Sequence, residues 1–99
     1  MNLQDMVNHS AKAVKLLKAV SNERRLMILC HLLNGELSVG EMNDKLGLSQ
    51  SALSQHLALL RRNKLVKTRK EAQTVFYSMN SKEAEAVLGL MHQLYSPKL

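Results

Sequence analysis

The sequence predicts a mainly α-helical domain with one small β-hairpin near its C-terminal end. Leucines recur at helical spacing through most of the chain, and the period changes to two only between Leu65 and Met79. Six Met, no Trp and two Tyr with one Phe suit helix packing better than a β-sandwich. With no Pro/Gly-rich linker, internal repeat or low-complexity stretch, residues 1–99 read as a single domain. A chain of this size buries only about 60–65% of the surface its unfolded state exposes, so pairing of two copies through apolar faces would help it.

The first helix is expected over roughly Ser10 to Val20, with Ala13, Val14, Leu17 and Val20 on one stripe. Ser21 reads as N-cap of a second helix to about Leu33, whose inward stripe is Leu26, Leu29, Cys30 and Leu33. Asn34-Gly35 ends it. The segment SVGE is a capping box, Ser38 at N-cap and Glu41 three residues on, so a third helix covers about Val39 to Leu46 and closes at Gly47. Ser49 caps a fourth helix to about Arg62. A helix of two turns, a tight Gly-containing turn and a longer helix make a helix-turn-helix. Leu65 to Lys70 and Thr74 to Met79 then alternate around Glu71-Ala72-Gln73 as a hairpin whose turn lacks Gly or Asn. Asn80 and Glu83 open a last helix with Val87, Leu88, Met91 and Leu94 on one side, stopping before Pro97.

The fourth helix carries an unusual outer face. With Leu53, Leu57 and Leu60 inward, a turn of about 100° per residue places Ser51, Ser54, Gln55, Ala58 and Arg62 opposite them. Short side chains let helical turns approach base edges in a major groove, where Gln pairs with adenine, Ser with several groups and Ala with a thymine methyl. Free amides near Gln50 and Ser51 suit a phosphate. His56 sits at the edge of the buried face and fits either a partly buried hydrogen-bonding role or a DNA contact.

Charge points the same way. Fourteen basic and eight acidic residues give a net +6. Arg61, Arg62, Lys64, Lys67, Arg69 and Lys70 fall in one window without an acid, and the rest of the chain balances. Arg61 and Arg62 would suit the helix dipole whether or not DNA is present. Lys67, Arg69, Lys70 and the turn residue Gln73 approach a hairpin tip that reaches a DNA backbone or minor groove.

The runs SNERRLMIL, ELSVGEM, LSQSALSQHLALLRRNKLV and TRKEAQTVFYSM together resemble the ArsR/SmtB family of winged helix-turn-helix regulators, and more narrowly its HlyU-like subgroup of haemolysin-gene regulators. The most specific element is S-x-S-x-x-S-x-H-L-x-x-L, met by Ser49, Ser51, Ser54, His56, Leu57 and Leu60. The resemblance implies a winged helix-turn-helix homodimer joined through its first and last helices, binding double-stranded DNA at an inverted-repeat operator. Gln50, Ser51, Ser54, Gln55 and His56 would face the DNA, and virulence or stress genes would be the targets. One departure is Lys64 where the family has Gly before the first wing strand. A non-glycine residue in the left-handed region costs roughly 1 kcal/mol, and Asn63 is a candidate to take over that turn.

Many members of the family sense metals through two cysteines in E-L-C-V-C-[DE]-L, but here Ser38 and Gly40 stand at both thiol positions. The family's last-helix metal site is reduced to His92 with Tyr95. No metal and no cofactor is therefore expected. The single cysteine, Cys30, is either an inert core thiol or a redox switch acting as sulfenic acid or mixed adduct. Related thiol sensors use a second cysteine on the last helix where this chain has Ser96, so an internal disulfide is ruled out.

An enzyme is not expected, because Cys30 and His31 are consecutive on a helix and point about 100° apart, which separates nucleophile from base. The competing reading is a basic module that binds nucleic acid or an acidic partner without reading sequence. The opening MNLQDMV has no secretory pattern, and the longest apolar run, Leu26 to Cys30, is too short to span a bilayer. The expected location is the cytoplasm, on the nucleoid, without membrane association.

Overall fold

Helix starts are set by side-chain caps, and the caps fix where each element begins. The computed structural model describes residues 2–96 as α1 (Leu3–Val20), α2 (Glu23–Leu32), β1 (Leu37–Ser38), α3 (Val39–Leu46), α4 (Gln50–Arg62), β2 (Val66–Glu71), β3 (Thr74–Met79) and α5 (Lys82–Tyr95). Asn2 accepts from the Asp5 amide at 2.8 Å while the Asp5 carboxylate takes the Asn2 amide, so α1 begins at Leu3, well before Ser10. Asn22, not Ser21, caps α2 by accepting from the amides of Arg24 and Arg25. Ser81, not Asn80, caps α5, and the Asn80 amide instead reaches the Leu65 carbonyl at the wing base. Adjacent Ser and Asn are equally good caps in sequence, and tertiary contacts choose between them. The stop expected from Pro97 lies outside the described residues.

The hairpin belongs to a three-stranded antiparallel sheet of order β1-β3-β2, which the sequence reading does not anticipate. Two residues are too short to show a period, and β1 is defined only by its pairing of Leu37 with Tyr77 and Ser38 with Phe76. Glu71 pairs with Thr74, which leaves Ala72, at φ 54°, and Gln73 as a two-residue turn.

The end of α4 differs from the expectation placed on Asn63. Asn63 keeps φ −87° as C-cap, and Lys64 itself takes the left-handed φ of 62°. The Leu65 amide reaches back to the Leu60 carbonyl and the Lys64 amide to Arg61, the two bonds of a Schellman motif, with Leu60 and Leu65 buried beneath. Glycine at this position would remove the Cβ clash, so Lys64→Gly is expected to stabilise the fold by about 1 kcal/mol and to raise the thermal midpoint roughly 4–8 °C. A lowered midpoint would show that Lys64 bears no strain.

Ile28, Leu29, Met42, Leu53, Leu60 and Leu88, all fully buried, bring α2, α3, α4 and α5 into one core, which Leu65 and Val66 join. On α2 the deepest residues are Ile28, Leu29 and Leu32, so the stripe is rotated from the expected one and Leu26, Cys30 and Leu33 flank it. Val14 and Leu17, on the stripe expected for the first helix, are 48% and 53% exposed, and Leu94 of α5 is 60% exposed. Their stripes are apolar and, among the described residues, uncovered. The radius of gyration is 14.7 Å, against about 13 Å for a compact chain of this length. Among the described residues no helix is long and apolar enough to cross a membrane.

Candidate nucleic-acid interface

The two helices that present the candidate site are locked at their starts. Glu41 accepts the Ser38 amide at 2.8 Å and Ser38 accepts the Glu41 amide at 3.1 Å, and these bonds hold the Glu41 carboxyl below the usual carboxylate range. Gly47, at φ 64°, turns the chain out of α3, and Ser49 caps α4 through the Ala52 amide. Leu53, Leu57 and Leu60 anchor α4 as expected, which leaves Ser51, Ser54, Gln55, Ala58 and Arg62 exposed on its far side. Gln50 is exposed as well. Among the described residues, the side chains of Gln50, Ser51, Ser54 and Gln55 bond to no protein group, so their donors and acceptors face outward.

His56 is partly buried at the edge of this face. Burial first, then repulsion from Arg25 and Arg24, holds its pKa below the ordinary histidine value. Arg25 is itself fixed by the Ala19 carbonyl at 2.7 Å and the Lys18 carbonyl at 3.2 Å. The ring is therefore neutral at neutral pH, with both donor and acceptor nitrogens. Its protonation is disfavoured in the folded state, so this contribution to stability is intact above the unfolded value near about pH 6.5 and is lost as pH falls through the lower folded value. The thermal midpoint is expected to fall between about pH 7.5 and about 5.5, above the range where carboxylates titrate. His56→Gln should flatten that fall, and an unchanged slope would contradict the assignment.

A shallow open groove of about 480 Å³ runs beside α4. Ser54, Ala58, Arg61 and Arg62 form its helix side, with Val39 of α3 and Tyr77 of β3 opposite. The sequence reading passes over Val39 and Tyr77; the alternation in β3 shows that Tyr77 has a face, but not which element it meets.

The wing places Lys67, Lys70 and Gln73 in solvent, with Lys70 paired to Val75 one step from the turn. Alternation along β2 sets Lys67 and Lys70 on opposite faces of the hairpin. Arg69, expected near the tip and unburied, is exposed there but ion-paired. Its Nε and Nη2 donate to the two Glu36 oxygens at 2.7 and 2.8 Å, Nη1 donates to Glu71 at 2.7 Å, and the guanidinium lies 4.4 Å from the Phe76 ring centre. Glu36, far away in sequence, carries no signal that would have identified it as the partner.

Cys30 is partly buried against the core, and burial pushes its thiol pKa up, which reduces the thiolate that oxidants attack. Among the described residues no three His, Cys, Asp or Glu side chains cluster as a metal site would need.

Residues 22–68 match the family described as bacterial regulatory protein, arsR family. The chain is 67% identical over 95 residues to the transcriptional activator HlyU of Vibrio cholerae serotype O1, covering 96% of this chain and 88% of that one. It is 47% identical to the nodulation protein NolR of Rhizobium meliloti, over 84% of this chain and 68% of NolR. Among solved structures, reduced HlyU from Vibrio cholerae aligns with a TM-score of 0.89 at 65% identity, covering 96% of this chain and 100% of that one. The transcriptional repressor BigR from Xylella fastidiosa aligns at 0.93 with 33% identity, covering 99% and 100%.

Proposed function

The chain belongs to the arsR family of bacterial regulatory proteins and is a DNA-binding transcription regulator, not an enzyme; on that premise we propose that it acts as a homodimer reading an inverted-repeat operator. The observation that carries this reading is the outer face of α4, where short, exposed, unbonded side chains stand opposite a fully buried leucine stripe. Gln50, Ser51, Ser54 and Gln55 enter the major groove in this arrangement, with His56 at its margin. Lys67, Lys70 and Gln73 of the wing meet phosphates or the minor groove. Residues 1–99 form one domain for both DNA binding and pairing, and the partner surface is the uncovered apolar stripe of α1 together with Leu90, Leu94 and Tyr95 of α5, all exposed.

Similarity to the Vibrio activator supports a role in switching genes on; we infer virulence or stress genes as targets, at the nucleoid in the cytoplasm. No metal or cofactor enters the reading. Redox control through Cys30 is tested by comparing operator affinity of wild type and Cys30→Ser before and after mild peroxide: loss confined to the wild type assigns sensing to Cys30, and equal behaviour excludes it.

Competition between operator and scrambled duplexes of equal length, repeated across a salt series, tests the function itself. Preference for the operator with steeply falling affinity as salt rises supports the proposal. Equal displacement by both duplexes would instead favour a basic module indifferent to sequence.

A further inference from the structure

We propose that Arg69 is a positioning residue for the wing and not a phosphate contact: it clamps the sheet from β2 across β3 to Glu36, and so sets the angle at which Lys67 and Lys70 meet DNA. This rests on the DNA-binding reading above and adds a division of labour among the wing cations.

The register dictates the clamp. Arg69 and Ser38 both pair with Phe76, from opposite sides of the middle strand, so the three side chains share one face of the sheet. Glu36, two residues before Ser38, falls on that same face. The Arg69 side chain crosses over the Phe76 ring and forks onto both Glu36 oxygens, while its third nitrogen holds Glu71. Every guanidinium nitrogen is thereby committed to a carboxylate. Two carboxylates around one guanidinium also leave the spot net negative, which repels a phosphate. Exposed ion pairs add little to stability, but a planar fork stacked on an aromatic ring fixes direction in a way a point charge does not. β1 leads directly into the Ser38 cap of α3, so the clamp ties wing orientation to the helix-turn-helix.

The two roles predict opposite signs. If Glu36 acted only through its charge, removing it beside DNA would tighten binding. As half of a clamp, Glu36→Gln is expected to weaken operator binding roughly tenfold. Arg69→Lys should lose as much as Arg69→Ala, because an ammonium keeps the charge but not the fork. All three variants should keep the wild-type slope of log affinity against log salt, whereas Lys70→Ala should flatten it by about 0.9 for each phosphate contact removed. Tighter or unchanged binding by Glu36→Gln, rescue by Arg69→Lys, or a flattened slope in Arg69→Ala would each overturn the clamp. Should Lys67→Ala and Lys70→Ala both leave the slope unchanged, the wing does not meet DNA, and the wing contacts of the DNA-binding reading fall together with the clamp; should they flatten the slope while Glu36→Gln tightens binding, only the clamp falls.

Discussion

Leu17→Glu is expected to convert the protein to a monomer and to weaken operator binding by about 10²–10⁴, the range lost when two linked binding heads become independent. Leu3, Val7, Val14 and Leu17 recur along α1 at the seam spacing of paired helices, and they are 79%, 58%, 48% and 53% exposed. An apolar stripe of this length on an isolated protomer marks an interaction surface. Leu17 lies at the end of α1 nearest the core, where a glutamate side chain would be desolvated in the pair but hydrated in the monomer. Sedimentation and gel retardation on a full operator check this together. A variant that still sediments as a dimer would move the pairing surface elsewhere, and a monomer with undiminished affinity would remove the need for two heads.

Ser54→Glu tests the other surface, and its effect should be nearly as large. Ser54 is exposed at the middle of the α4 outer face and lines the open groove shared with Tyr77, so a longer anionic side chain has solvent to extend into. Against a phosphate-lined groove it fills the space that the short side chain leaves open and adds like-charge repulsion of several kcal/mol, roughly a 10²- to 10³-fold loss of affinity. The thermal midpoint should stay close to wild type, because surface changes of this kind shift stability by about 0.5 kcal/mol or less. Loss of affinity with an unchanged midpoint places Ser54 on the DNA; unchanged affinity would take α4 out of the groove.

The parts of this architecture that local chemistry controls were readable from sequence. The Ser38–Glu41 capping box, the left-handed Gly47 and the Leu53, Leu57, Leu60 stripe are set by residues within a few positions of one another, and the structure has all three. Periodicity also finds the apolar stripes of α1 and α5, but it does not say what covers them, and Val14, Leu17 and Leu94 lie open. The stripe of α2 lies one residue round from the one its periodicity predicts, because its neighbours choose which of several adjacent apolar residues go deepest. Long-range pairing was the least legible. β1 exists only through β3, and the Glu36–Arg69 bridge joins residues whose local surroundings give no hint of each other. Of the wing cations, Lys67 and Lys70 are unpaired among the described residues, whereas Arg69, itself exposed, is paired with Glu36 and Glu71.

A base-by-base operator substitution series measured for Gln55→Ala and Lys70→Ala separates base reading by α4 from backbone holding by the wing. Gln55→Ala should lose about 1–3 kcal/mol of discrimination at one base pair in each half-site, whereas Lys70→Ala should weaken every duplex alike with base preferences intact. Uniform weakening by both variants, with the preference profile of Gln55→Ala matching wild type, would mean that α4 does not read bases.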